Sequence, residues 1–209
     1  MFDGCHFSVS FQDDIVVLTD KEAYEQNEKS IYIPYIKNIV ELLESRSFYL
    51  FPKFYSFTDT TMVIEKMNPI IQIEEHEFDN FINQAIFIAK TLSYIKVHHN
   101  DLKPQNFVWK YVNGVKKYYV IDFNMTQIFD TSFNYSSIPP ILLDKEFLND
   151  MGYLSEYHPR YNEYQLLNWL NLNKQYQYFL SNNLYASQEL DKLTNIFYYS
   201  GEGLSVISS

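Results

Sequence analysis

Two short polar segments constrain this chain more than any other part of its sequence. Residues 98–106 read His-His-Asn-Asp-Leu-Lys-Pro-Gln-Asn, and residues 120–124 read Val-Ile-Asp-Phe-Asn. The first contains the run Asp101-Leu102-Lys103-Pro104-x-Asn106, which fixes five residue types in six positions. With average residue usage, such a run occurs by chance in roughly one of ten thousand chains of this length. The two segments therefore indicate a functional site.

The sequence around these segments predicts a helix, a loop and a hairpin. Apolar residues recur at helical spacing from Glu77 to Lys96, which predicts an amphipathic helix that ends just before the polar loop. The runs 107–112 and 115–121 are rich in β-forming residues and flank an Asn-Gly pair, a strong hairpin signal. The second strand leads into Asp122, so we expect the hairpin to bring that carboxylate back towards Asn106.

These residue types suit the transfer of a phosphoryl group. Such a site must hold a metal ion, neutralise the phosphate oxygens and orient the attacking hydroxyl. Asp101 can accept the hydroxyl proton, and Lys103 can place an ammonium beside the γ-phosphate. Asn106 and Asp122 offer oxygen ligands of the kind that Mg²⁺ or Mn²⁺ binds. We therefore expect Asp101 and Lys103 to be catalytic, and Asn106 and Asp122 to bind the metal ion and the nucleotide.

At these residues the chain resembles the protein kinases, whose catalytic loop reads H-R-D-L-x-x-x-N and whose metal-binding segment reads D-F-G. Residues 99–106 match the first with Asn100 in place of Arg, and residues 122–124 match the second with Asn124 in place of Gly. The resemblance implies ATP and Mg²⁺ (or Mn²⁺) as cofactors. In the family the missing arginine pairs with a phosphorylated activation loop, so switching of that kind is not expected here. Asn124 tolerates positive φ, so we expect the turn to survive the replacement.

The resemblance implies the α+β class and a reduced two-lobe kinase-like fold in a single domain, 1–209. Residues 1–67 would form a small β-rich N-lobe, and residues 68–209 a truncated, mainly helical C-lobe. The C-lobe is short for a kinase, so we expect a reduced peptide-docking platform. Within it we expect helices at 142–148 and 161–172. We expect a small, polar, loose tail at 201–209.

Two β-rich runs resemble the last strands of the kinase N-lobe and the hinge between the lobes. They cover residues 51–57 and 62–68, with a turn at Asp59 between them. In the family the hinge backbone binds the adenine. The resemblance therefore implies that Glu65 and Met67 contact the nucleotide.

The first twenty residues depart most from the kinase pattern. A nucleotide-covering loop needs several glycines, but only Gly4 stands there. Strands are expected at 7–11 and 15–18, and Thr19 then occupies the place of the family's phosphate-binding lysine. Lys21 would face the same side of an extended chain as Thr19, because side chains alternate along a strand. It could bind the nucleotide phosphates or be a surface lysine.

The resemblance also implies an acidic partner for that lysine on the next helix. Three glutamates spaced three apart lie in residues 21–29 and would share one helix face. The last of them, Glu28, resembles the family's position most closely, and a charged outer face is an equally open interpretation. Pro34 predicts the start of a second helix over 35–44.

Composition indicates one compact intracellular domain. Of the 209 residues, 46% are hydrophobic and 18% aromatic, which is enough for a sizeable core. A net charge of −10 argues against nucleic-acid binding, which needs clustered Lys and Arg. The sequence has no apolar run long enough for a membrane span and no signal peptide pattern. We therefore expect a cytoplasmic or nuclear monomer.

Three functions remain open at this point. The first is a minimal, atypical Ser/Thr protein kinase, for example a viral one, that acts on a protein substrate. The second is a pseudokinase that binds or inhibits a partner kinase, which Thr19 and the glycine-poor loop favour. The third is a small-molecule phosphotransferase, to which the sequence His99-Asn100-Asp101 lends support.

Overall fold

The computed structural model describes residues 2–3, 7–129, 153–154, 156–200 and 203–207. Within them the chain is a mixed α+β protein whose strand pairs are all antiparallel. The expected α+β class is therefore confirmed. Gly4 and the helix expected at 142–148 lie outside the described residues.

The N-terminal part forms a five-stranded sheet in the order β1-β2-β3-β5-β4. Its strands are β1 (Phe2–Asp3), β2 (Phe7–Gln12), β3 (Ile15–Asp20), β4 (Phe54–Phe57) and β5 (Thr61–Glu65). Helices α1 (Lys21–Gln26) and α2 (Tyr32–Ser45) connect β3 to β4. The strands expected at 7–11 and 15–18 are confirmed. Of the runs 51–57 and 62–68, the first belongs to β4 only from Phe54, and the second to β5 only as far as Glu65.

Helix α2 is the predicted second helix, extended at its start. The hydroxyl of Ser30 accepts hydrogen bonds from the backbone N–H groups of Tyr32 and Ile33, which satisfies two donors at the helix start. Pro34 lies in the first turn, where its missing N–H costs nothing. The apolar face of the helix is buried, including Ile36.

The expectation that Lys21 extends the strand beside Thr19 is wrong. The carboxylate of Asp20 accepts a hydrogen bond from the N–H of Ala23 at 3.2 Å, so it ends β3 and caps α1. Lys21 is consequently the first residue of a helix. The helix ends at Gln26, before Asn27 in the left-handed conformation. Glu28 lies beyond that end and is exposed, so it does not share a helix face with the earlier glutamates.

The long helix α3 (Glu75–Tyr94) confirms the helix predicted over 77–96, with both ends two residues earlier. It leads through β7 (Val97–His98) and the polar loop to the short 3₁₀ helix Pro104–Asn106. The predicted hairpin follows as β8 (Phe107–Val112) and β9 (Val115–Val120), with β6 (Asn68–Pro69) on its edge. Asn113 and Gly114 both have positive φ, as the tight hairpin turn requires.

After Asp122 a second 3₁₀ helix, Phe123–Met125, leads to β10 (Gln127–Ile128), which pairs with β7. The C-terminal part contains α4 (Tyr161–Leu172), α5 (Lys174–Asn182) and α6 (Leu184–Thr194), and α4 packs against α3. The helix predicted over 161–172 is thus confirmed. No helix in the described ranges has both the length and the apolar character needed to cross a bilayer.

The expectation of a loose tail is wrong for its described part. Strands β11 (Phe197–Ser200) and β12 (Gly203–Val206) form an antiparallel hairpin. Phe197 stacks on Tyr164 of α4, and Leu204 is buried in the core. These two apolar contacts hold the small, polar segment in place. One cluster of buried apolar side chains runs from Phe7 to Leu204.

Candidate functional site

A cavity of about 480 Å³ lies where the five-stranded sheet meets the polar loop and the segment after β9. Apolar side chains of β2, β3 and β5 line much of it, and the polar lining comes mainly from residues 101–106 and 122–124. Binding sites for small molecules are commonly of this size, with an apolar wall and a few convergent polar groups. The cavity is therefore the candidate ligand site.

Six of the eight residues singled out from the sequence line this cavity, namely Glu65, Met67, Asp101, Lys103, Asn106 and Asp122. They come from three separate parts of the chain. Lys21 and Glu28 do not line it. The sequence pattern thus predicted residues that the fold brings together around one space.

Asp101 is the centre of the polar cluster. Its carboxylate Oδ2 lies 2.7 Å from the Nζ of Lys103 and accepts a hydrogen bond from the Nδ2 of Asn106 at 2.8 Å. The same Nδ2 also donates to the backbone oxygen of Asp101 at 2.9 Å. These contacts fix the orientation of the carboxylate and keep it beside an ammonium group.

The side chain of His99 connects the loop before Asp101 with the segment before Asp122, and its contacts indicate a neutral ring. Its Nδ1 accepts a hydrogen bond from the N–H of Asp101, and its Nε2 lies 3.0 Å from the carbonyl oxygen of Ile121. A ring that accepts at Nδ1 and donates at Nε2 is a neutral imidazole. Burial lowers the pKa of His99, against the pull of the Asp122 and Asp101 carboxylates. The neutral ring therefore ties the start of the loop to the residue before Asp122.

Asp122 is held in an unusual backbone conformation, with φ 64° and ψ 64°. The positive φ falls on Asp122 and not on Asn124, which lies in the 3₁₀ helix that follows. The turn survives without glycine, but for a different reason from the one expected. The N–H of Ile121 donates to the carbonyl oxygen of Asn106 at 2.9 Å. This bond joins the backbone of Asn106 to the residue directly before Asp122.

Asn106 and Asp122 form a donor set that suits Mg²⁺. Because the Nδ2 of Asn106 is engaged by Asp101, its oxygen Oδ1 is the atom that can bind a cation. The described residues contain no group of three or more His, Cys, Asp or Glu side chains placed to hold a metal. Mg²⁺ at nucleotide sites is commonly bound through one or two protein ligands together with phosphates and water. The pair fits an ion that arrives with a nucleotide.

Glu65 and Met67, the two residues expected at the hinge, line the cavity in different ways. The carboxylate of Glu65 is engaged by Lys110, whose Nζ lies 2.8 and 2.9 Å from its two oxygens. This ion pair joins the end of β5 to β8. Met67 is buried and adds apolar surface.

The described cavity lining contains one cation, Lys103. The resemblance implies a second lysine near the end of β3 and a glutamate on the helix that follows it, for which Lys21 and Glu28 are the expected residues. Neither lines the cavity, to which β3 presents Val16 and Leu18 and α2 presents Ile36. The wall nearest these elements is therefore apolar.

Asn162 is a site residue that sequence analysis missed. It is fully buried on α4, and its Oδ1 accepts a hydrogen bond from the N–H of His99 at 2.9 Å. Its Nδ2 donates to the carbonyl oxygen of Val97 at 2.6 Å and to the Oγ of Ser93 at 3.0 Å. It anchors the loop that carries Asp101. An asparagine among the apolar residues of a predicted core helix was the available signal.

Comparison of the chain with protein-family models and with curated proteins finds no match.

Proposed function

We propose that this chain is an ATP-dependent phosphotransferase of protein kinase-like type that acts on Ser or Thr hydroxyls of a protein. The observation that carries the proposal is the convergence of Asp101, Lys103, Asn106 and Asp122 on one cavity. These four residues come from two segments, and their types match the chemical roles of phosphoryl transfer. A two-lobe arrangement, with the nucleotide between the sheet and the polar loop, agrees with where the cavity lies.

Each residue has a role that follows from its contacts. Asp101 orients the acceptor hydroxyl and takes its proton as the hydroxyl oxygen bonds to the γ-phosphorus of ATP and the bond from that phosphorus to the bridging oxygen breaks, releasing ADP. Lys103, now 2.7 Å from Asp101, supplies positive charge next to the transferred group. Asn106 and Asp122 hold Mg²⁺ or Mn²⁺, which neutralises charge on the phosphate oxygens when bound. The apolar wall that includes Met67 receives the adenine.

A pseudokinase that binds a partner kinase is the alternative, and one observation favours it. Lys21 and Glu28, which the resemblance implies as the phosphate-binding lysine and its acidic partner, do not line the cavity, and apolar side chains such as Leu18 and Ile36 do. A triphosphate would then depend on the metal ion and on Lys103 for neutralisation. The same cavity could bind a nucleotide without catalysing transfer of its phosphoryl group.

Two isosteric variants test the proposal. Asp101→Asn should lower turnover of MgATP with casein as acceptor by at least about 100-fold, because it removes the proton acceptor. It should leave the thermal stabilisation by MgATP nearly unchanged, since the lost interaction belongs to the transition state. Asp122→Asn should lose that stabilisation as well, because it removes a charged metal ligand.

The outcomes separate the candidates. Turnover by wild type that disappears in Asp101→Asn supports the phosphotransferase. Stabilisation by MgATP without turnover in wild type supports the pseudokinase. A melting temperature that does not change with MgATP up to millimolar concentrations rejects both the phosphotransferase and the nucleotide-binding pseudokinase.

A further inference from the structure

Asn100 connects the loop that carries Asp101 with the segment that follows Asp122. It stands directly before Asp101, and its side-chain Nδ2 donates two hydrogen bonds across the site. One goes to the backbone oxygen of Met125 and the other to the Oε1 of Gln127, both at 2.8 Å. These acceptors lie 25 and 27 residues away in the sequence. The amide therefore joins two parts of the site that local structure alone does not join.

The cost of this arrangement indicates that the contact is specific. Asn100 is 3% exposed, and its backbone has φ 66°, a conformation that Asn adopts more readily than most residues other than glycine. Its Oδ1 is also buried and has no hydrogen-bond partner among the described residues. A buried, unsatisfied acceptor costs about 1–3 kcal/mol. The two donated hydrogen bonds are what the residue gains in return.

The segment that Asn100 binds is held at two further points. The hydroxyl of Tyr35 on α2 donates to the carbonyl oxygen of Thr126, and Gln127 pairs with His98 as β10 pairs with β7. The segment is thus fixed to α2, to β7 and to the catalytic loop. All these contacts are between uncharged groups.

We infer that Asn100 is a positioning residue that sets the loop carrying Asp101 relative to the segment that follows Asp122. The inference rests on the proposed function, because it assigns a role within that same site. Asn100 makes both connections from a buried position with the uncharged amide of its side chain. Loss of this amide should therefore let the two segments move relative to each other.

Two variants at Asn100 separate positioning from packing. Asn100→Gly accepts the positive φ and removes both donated hydrogen bonds. Asn100→Asp keeps the size of the side chain but presents a carboxylate to the Met125 oxygen, which repels it. Asn113→Asp is the matched control, because Asn113 also has positive φ (51°) but is exposed in the β8–β9 turn. Gln127→Ala, which removes one acceptor, is a milder variant if either Asn100 variant fails to fold.

The experiment measures casein phosphorylation, its Mg²⁺ dependence, and amide hydrogen exchange of residues 123–128. In both Asn100 variants we expect kcat to fall about 10- to 100-fold, as a displacement of about 1 Å in a catalytic group can cause. We also expect a higher half-saturating Mg²⁺ concentration and faster exchange of residues 123–128, with a smaller effect in Gln127→Ala. Asn113→Asp should match wild type in all three measurements.

Two results would overturn the inference. One is a folded Asn100→Gly protein with the kcat and Mg²⁺ dependence of wild type, and the other is unchanged exchange of residues 123–128 in both Asn100 variants. If wild type has no turnover and no MgATP stabilisation, the proposed function fails, and with it the role assigned to Asn100. The exchange rates then still report whether Asn100 holds the segment.

Discussion

Replacing Asn162 with alanine should destabilise the chain by about 3 kcal/mol, and the contacts of this residue set the magnitude. The change leaves the N–H of His99 and the carbonyl oxygen of Val97 without the partners they have at 2.9 and 2.6 Å. Both residues are fully buried. Each unsatisfied buried group costs about 1–3 kcal/mol, and a water molecule that enters the vacated space can recover part of this. For a domain of this size, 3 kcal/mol corresponds to a fall in Tm of about 6–12 °C.

Urea unfolding followed by circular dichroism measures this change, with Asn183→Ala as the matched control. Asn183 caps α6 from a half-buried position by accepting the N–H of Ala186, so its loss should cost only about 1 kcal/mol. Unfolding free energies that agree for the two variants would refute the role given to Asn162. The m-values should stay equal, because neither change alters the surface exposed on unfolding.

Two further predictions concern the lysines and the pH dependence. Lys21→Ala should change MgATP turnover by less than about twofold because Lys21 lies outside the cavity lining, whereas Lys103→Ala should lower it by at least about tenfold, measured in the same assay. Burial lowers the pKa of His98 from 6.5 to about 4, so the unfolded chain takes up the proton first as the pH falls. His98 should therefore stabilise the fold fully above pH 6.5 and lose about 3 kcal/mol of that contribution by pH 4. Urea unfolding across this range should show a shallower loss in His98→Gln, and equal slopes would contradict the assignment.

The sequence predicted those parts of the structure that local patterns determine. The apolar spacing of α3, the Asn-Gly turn and the helix 161–172 are all properties of short segments. The same holds for Asp101, Lys103 and Asn106, which stand within six positions. Asp122 could be included because a predicted strand leads directly into it.

The missed features depend on contacts between distant residues or on a cap that competes with a strand. Asp20 could have been recognised as the N-cap of α1, and that would have placed Lys21 on a helix. The hairpin of β11 and β12 has no comparable local signal, because the stacking of Phe197 on Tyr164 holds it. The partner of Asn162 is 63 residues away, beyond the reach of any local pattern.

The left-handed backbone of Asp122 places stability and activity in opposition at a single residue. Glycine adopts this conformation without strain, and asparagine enters it more readily than most residues. Selection for thermal tolerance alone would therefore accept either substitution at position 122, and each would remove the carboxylate proposed to bind the metal ion. A programme of stabilisation on this chain should hold position 122 constant, because the more stable protein would no longer carry the site.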